Sequence, residues 1–187
     1  IIIYFQEFSM QPSYKHYLKI IRNTCTGHER PVTIPSEELA DLARLAEDHC
    51  TVPFVLSSFR GTPFYPSMLQ RTRSMMLNYY QIDQFTRHTV SLLEDNGIDC
   101  ILLKGISLAS CYPVPEYRKL GDLDLYISRK SDISKAQKLL ESHGYIAENE
   151  LSDHHLTYHY RFPKTGRKFL LELHYRVVGM YQYERAN

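Results

Sequence analysis

Apolar residues recur along this chain with two different periods. Leu39, Leu42, Ala43 and Ala46 fall at the three-and-four spacing of a helix with one buried face. Ser36, followed by Glu37 and Glu38, stands where an N-cap belongs, so a helix is predicted from there to about residue 50. Pro53 and the Arg60-Gly61-Thr62-Pro63 segment break the pattern. A long helix is then predicted over residues 66–96, with Met75, Tyr79, Ile82, Phe85, Thr89, Leu92 and Leu93 as its buried face and Asn96-Gly97 as its stop. What precedes Ser36 reads as a Tyr-rich opening and a loop marked by Pro31 and Pro35.

At Ile98 the texture changes from helical to extended. Residues 98–103 are a short apolar run of the length of a buried strand. Lys104-Gly105 ends it, and residues 107–111 have room for one or two helical turns before Pro113 and Pro115 stop them. Residues 120–127 read Leu-Gly-Asp-Leu-Asp-Leu-Tyr-Ile, with the period of a strand. A helix capped by Ser131 or Asp132 follows, with Ile133, Ala136, Leu139 and Leu140 inward and His143-Gly144 at its end. A hairpin closes the pattern: a strand over 155–162, a turn over 163–166 and a strand over 168–175. Period two puts Phe169, Leu171 and Leu173 on one face of its second strand and Leu170, Glu172 and His174 on the other. The predicted organisation is a helical part, residues 1–97, followed by an α/β part, residues 98–187.

The candidate chemistry lies in that second part. Asp122 and Asp124 share one face of their strand, about 7 Å apart, while Leu123 and Leu125 point the other way into a core. Two such carboxylates repel unless a cation neutralises them, and a hard divalent ion suits them. Removing one from the metal-free protein is expected to relieve that repulsion and raise stability. With nine aspartates in 187 residues, a chance Asp-x-Asp is expected about 0.4 times, so the surroundings must carry the reading. Glu172 offers a third acid on a second strand. Lys104, at a strand end beside Gly105, is placed to meet phosphate oxygens, and Gly105 lets the backbone approach closely. Ser107 adds a hydroxyl, and Arg118 either grips a phosphate or pairs with Glu116. The plainer alternatives are a turn residue at Asp122, a solvated strand acid at Asp124 and a surface lysine at Lys104.

His154, His155, His159 and His174 invite a zinc reading, yet residues i and i+4 of a strand are about 13 Å apart, so His155 and His159 cannot chelate one ion as a helical pair would. They are read as solvated or hydrogen-bonded strand histidines, His174 being set apart by sharing the face of Glu172.

Charge and composition narrow the class. The formal charge is +1. Residues 1–103 hold 9 basic and 11 acidic side chains, and residues 104–187 hold 13 and 10, a bias that suits an anionic ligand in the second part or a solvated basic face. Cys25, Cys50, Cys100 and Cys111 lie far apart without a C-x-x-C, which points to reduced thiols in a cytoplasmic protein. No apolar run approaches ~18 residues and nothing reads as a secretory leader, so no membrane partner is expected. The chain opens at Ile1 without a methionine, the mark of a sequence that starts inside a longer one.

The combination of Leu103-Lys104-Gly105, Tyr112-Pro113, Arg118 ahead of Gly121-Asp122-Leu123-Asp124-Leu125, and Glu172-Leu173-His174 resembles an uncharacterised bacterial nucleotidyltransferase family of the polymerase-β-like superfamily. The likeness covers roughly residues 36–176. It implies an α/β (α+β) core with a mixed sheet, preceded by a helical part, and the transfer of a nucleoside monophosphate from a nucleoside triphosphate, ATP first among candidates, to a protein or small-molecule hydroxyl. Nucleic acid ranks below these as acceptor. Mg²⁺ or Mn²⁺ would be held by Asp122, Asp124 and Glu172, with Lys104, Gly105, Ser107 and Arg118 on the nucleotide and Glu172 helping to take the acceptor's proton. The serine of the superfamily's Gly-Ser turn stands one position late here, at Ser107. The C-terminal helical region that shapes the pocket in such enzymes is expected to be missing or to lie outside this chain. Two other enzymes and one binding module compete. A glycosyltransferase also uses Asp-x-Asp but needs neither the Lys104-Gly105 turn nor Glu172. A metal-dependent nuclease wants a lysine near the last acid, and none is there. A nucleotide- or partner-binding module without turnover, such as one half of a toxin and antitoxin pair, would keep the fold alone.

Overall fold

The computed structural model of the protein describes residues 11–27, 32–148, 152–163 and 165–177. These fall into two compact units, one of residues up to 76 with 112–119, the other of 77–111 with the residues from 120 on.

The first unit is helical. It opens with α1, Pro12–Thr26, where the sequence pattern shows a Tyr-rich opening and no individual helix. Pro12 stands in the first turn, where its missing N–H costs nothing, and Gly27 closes the helix at φ 67°, its N–H donating to the Asn23 carbonyl. Only Ser13, Tyr17 and Ile20 of α1 are buried, so its apolar stripe is too thin to read from spacing. Helix α2, Leu39–Asp48, is entered through a 3₁₀ turn, Ser36–Glu38, and the Ser36 hydroxyl does not cap it. Leu42, Ala43, Leu45 and Ala46 form its buried face. Pro53, expected to break helical structure, instead sits in the first turn of the short α3, Val52–Val55, where a proline is tolerated. The 112–119 loop belongs to this unit, with the Phe54 ring 6.0 Å from that of Tyr112 and 5.4 Å from that of Tyr117. Pro31 lies outside the described residues.

Helix α4, Tyr65–Glu94, is the long helix expected from the sequence. Its early turns serve the first unit, where Met68 joins the core of Leu42 and Phe59. Its later turns serve the second, where Ile82, Phe85 and Leu93 are buried. The stop signal at Asn96-Gly97 marks the end of the helix, whereas the units divide inside it, after Met76.

The second unit is built on a five-stranded mixed sheet of order β1-β2-β5-β4-β3. The strands are β1 Ile101–Leu102, β2 Leu123–Tyr126, β3 Ile146–Ala147, β4 His155–Arg161 and β5 Lys168–His174. β2 and β5 run parallel, and the other neighbours are antiparallel. α5, Ile106–Ala109, follows β1, and α6, Lys130–Ser142, follows β2. The run 98–103 is not the buried strand its composition suggests. Ile98 is fully buried, but β1 is two residues at the sheet edge with Ile101 55% and Leu102 37% exposed. β3 carries no apolar alternation long enough to announce it.

The core face of this sheet follows the two-residue period. Leu123 and Leu125 of β2, Tyr158 of β4 and Leu171 and Leu173 of β5 are each at most 1% exposed, and they pack with Phe85 and Leu140. Burying each leucine stabilises by about 1.5–3 kcal/mol. The α/β architecture with helices ahead of a mixed sheet is the one expected. No helix among the described residues is long and apolar enough to cross a membrane.

Candidate active site

The opposite face of the same strands carries the polar chemistry. Asp124 and Glu172 are register partners across the parallel β2–β5 pair, and so lie side by side. His174, two residues beyond Glu172, is on their face. Asp124 is 2% and His174 4% exposed, and one ligand atom from each of Asp124, Glu172 and His174 lies within 4.8 Å of the others.

Lys104 leaves the end of β1 to reach them. Its Nζ is 3.0 Å from Asp124 Oδ1 and 3.8 Å from Glu172 Oε2. His174 Nε2 lies 3.1 Å from the same Asp124 oxygen and 3.3 Å from Glu172 Oε2. Burial alone would push the Asp124 carboxyl up, but hydrogen bonds from His174 and Lys104, with the lysine's charge, outweigh it and hold the group below the ordinary carboxylate range. The hydrogen bond to Asp124, with the charges of Asp124, Glu172 and Asp122 behind it, raises Lys104 in spite of desolvation. The Lys104 ammonium thus offsets part of the repulsion expected among these carboxylates, through contacts to Asp124 and Glu172 and its charge toward Asp122. Asp124 Oδ2 is buried without a hydrogen-bond partner among the described residues, the kind of oxygen that a divalent cation would complete.

Asp122 precedes β2, half-buried; it is near enough to act on Lys104 but belongs to neither group of side chains able to share one ion among the described residues. Gly105 has φ 64° and ψ −115°, a backbone that glycine adopts freely. A Cβ there would meet the Asp122 carbonyl at 3.6 Å and Asp124 Oδ2 at 3.8 Å, which is ordinary contact, so the conformation and not crowding calls for glycine. The Ser107 hydroxyl donates to the carbonyl oxygens of Leu103 and Lys104. It ties the turn together. Arg118 belongs to the first unit, where its guanidinium donates to the Tyr112 hydroxyl at 3.0 Å and lies over that ring. All four cysteines are free. Burial, then Glu94 and Asp99, pushes the Cys100 thiol up to about 11, which disfavours a thiolate there at neutral pH.

The histidines divide differently from the sequence expectation. His159 bonds to Glu148. His154, His155 and His174, however, each bring a ligand nitrogen within 4.8 Å of the others, because His155 is the register partner of His174 across β4 and β5. Comparing His155 with His159 along one strand could not reveal this. The usable signal was the predicted hairpin itself, whose register sets one histidine opposite another. Burial, with the neighbouring His154, His174 and Lys104, holds His155 below the ordinary imidazole range against the pull of Glu172.

No curated protein and no solved structure matches the chain. The model of one family, described as uncharacterised nucleotidyltransferase, matches residues 35–186. That span takes in Lys104, Asp124, Glu172 and the whole sheet that aligns them, and with most of its length matched the chain belongs to this family of nucleotidyltransferases.

Proposed function

We propose that the protein is a metal-dependent nucleotidyltransferase that moves a nucleoside monophosphate from a nucleoside triphosphate, ATP first, to a hydroxyl of a protein or small-molecule acceptor. The observation that carries this reading is the ammonium of Lys104 held against Asp124 and Glu172, beside Asp124 Oδ2, which has no hydrogen-bond partner among the described residues. Two acids that hold one cation this way suit another. Mg²⁺ or Mn²⁺ would be held by Asp124 and Glu172, with Asp122 as the further acid, and would supply charge stabilisation at the attacking and leaving oxygens.

The chain's own groups divide the remaining work. Lys104, tethered beside Gly105 and mostly exposed, would bind triphosphate oxygens. The acceptor oxygen forms a bond to the α-phosphorus as the bond to pyrophosphate breaks, and pyrophosphate leaves with that electron pair. Glu172, whose side chain is one-fifth exposed, takes the hydroxyl proton. His174 donates toward both carboxylates and holds their orientation.

Incubating the protein with each labelled nucleoside triphosphate and Mg²⁺ or Mn²⁺, with cell extract as acceptor source, tests the reading. Label moved onto an acceptor by wild type and not by Asp124→Asn is the expected result. One observation favours a second reading, a nucleotide-binding module without turnover: the Ser107 hydroxyl donates to backbone carbonyls of its own turn. Tight nucleotide binding with no transfer in any extract would select it. Label from a nucleotide sugar instead would select the glycosyltransferase.

A further inference from the structure

Beside the carboxylates stands a second set of donors with different chemistry. We infer that His154, His155 and His174 form a binding site for a borderline-soft divalent transition metal, with Zn²⁺ as the representative ion, separate from the oxygen site of Asp124 and Glu172. Three imidazole nitrogens within 4.8 Å of one another are a donor set for Zn²⁺, and a poor one for Mg²⁺.

The hydrogen bonding around the three rings supports this independently of their proximity. Metal-bound histidines as a rule engage their other nitrogen with a carboxylate, hydroxyl or carbonyl, which fixes the ring and its tautomer. His154 Nδ1 lies 2.7 Å from Asp153 Oδ1 and 3.2 Å from Ser152 Oγ. His155 Nδ1 lies 3.1 Å from the same Ser152 hydroxyl. His174 is oriented from its other end. Its Nε2 faces two carboxylate oxygens, which suits the tautomer with the proton on Nε2 and leaves Nδ1 as the nitrogen for a metal. Nδ1 is buried without a hydrogen-bond partner among the described residues, in a side chain only 5% exposed. A buried acceptor left unsatisfied is costly unless a ligand completes it.

The position of the three histidines gives the site a structural consequence. His154 immediately precedes β4, His155 opens it, and His174 ends β5. An ion bound by all three would clip the first residue pair of the β4–β5 ladder and hold His174 with its Nε2–H toward Asp124 and Glu172. Three protein ligands also leave a fourth position of a tetrahedral ion open to water or another small ligand.

The experiment uses the full chain, stripped with EDTA and then kept in excess Mg²⁺ so that the oxygen site is supplied with its own ion. Zn²⁺ is titrated calorimetrically, and Co²⁺ is followed by its visible bands as a report of nitrogen ligation. Wild type is expected to bind Zn²⁺, and His154→Ala and His155→Ala each to weaken it at least about tenfold. His159→Ala, outside the cluster, should leave it unchanged. Zn²⁺ should raise the unfolding temperature of wild type and not of His155→Ala, since an ion that binds only the folded chain stabilises it. His155→Gln, with its unfolding compared in EDTA, covers the case in which the alanine variant fails to fold. No Zn²⁺ binding by wild type, or equal affinity in the histidine variants, overturns the site. So does an affinity that falls as far with Glu172→Gln as with His155→Gln, because the ion would then rest on the carboxylates. Nucleotide binding in Mg²⁺, measured alongside, reports on the transferase reading and does not depend on these outcomes.

Discussion

The two faces of the sheet in the second unit are written by the same few residues and follow opposite rules. Leu123, Leu125, Leu171 and Leu173 turn one way and are almost wholly buried against helices. Asp124, Glu172 and His174, interleaved with them, turn the other way. On the apolar face burial is itself the stabilising term. On the polar face Asp124 is just as deeply buried, and burial is a cost that Lys104 and His174 offset with charge and hydrogen bonds. One face is therefore stable because it is closed. The other is held by a lysine whose side chain is mostly exposed, which the proposed reaction would turn toward the triphosphate.

Substitutions that act on one face and spare the other put this contrast to the test. The largest effect is expected at the acids. Glu172→Gln keeps shape while removing charge, and turnover should fall about 10²- to 10⁴-fold with nucleotide binding mostly retained. Asp124→Asn should fall further, and in EDTA it should lose about 1–3 kcal/mol of stability, since Lys104 and His174 lose their shared partner. Near-wild-type transfer by either variant at saturating Mg²⁺ removes these acids from the reaction, and a stability gain in Asp124→Asn would restore the picture of repelling carboxylates.

Leu171→Ala asks the same of the apolar face. Denaturant unfolding should show a loss of about 2–5 kcal/mol, with nucleotide affinity of the folded protein unchanged. A selective loss of affinity would mean that the faces are not independent.

Lys104→Ala comes next, and its two effects have opposite signs. Triphosphate affinity should fall by about 1–2 kcal/mol for the lost charged contact. Divalent-cation affinity should rise, because the ammonium no longer competes for Asp124 and Glu172. Calorimetric titration of each ligand separates the two, and equal affinities in both titrations would return Lys104 to a surface lysine.

The smallest effect is in the pH dependence of metal-free stability. Because the folded Asp124 carboxyl is held below its ordinary value, the unfolded chain takes up the proton first on acidification. Its contribution is complete above about pH 4, the ordinary aspartate range, and is lost as pH falls from there through the lowered folded value. Asp124→Asn should flatten the stability curve in that window, measured by denaturant midpoints in EDTA. Parallel curves for the two proteins would show that the folded structure does not hold this carboxyl down.

Much of this was legible beforehand, for local reasons. The 30-residue α4 carries its period over many turns, and β2 and β5 alternate cleanly, so both were readable from spacing. Helix α1 was not, because its buried stripe is thin and its clearest marks, Pro12 and Gly27, lie at its ends. The run 98–103 misled for a different reason: composition tells how apolar a strand is, whereas sitting at a sheet edge decides how much of it is covered. Ser107 was placed by its neighbours in sequence, but a hydroxyl in the first turn of a short helix finds the preceding carbonyls first.

The sequence by itself determined which side chains share a face, since the pleat of a strand is local and holds wherever the strand lies in the sheet. It thereby named Asp124, Glu172 and His174 as residues turned away from the leucines. Only the tertiary structure decided which strands are neighbours and in what register. The parallel pairing of β2 with β5 sets Asp124 beside Glu172, while Asp122, one step before the strand, stays outside their group. The antiparallel pairing of β4 with β5 sets His155 against His174 and makes three scattered histidines one cluster. Such contacts join residues far apart along the chain, and they are fixed by how the whole apolar face packs, a sum over many side chains that no short stretch of sequence contains.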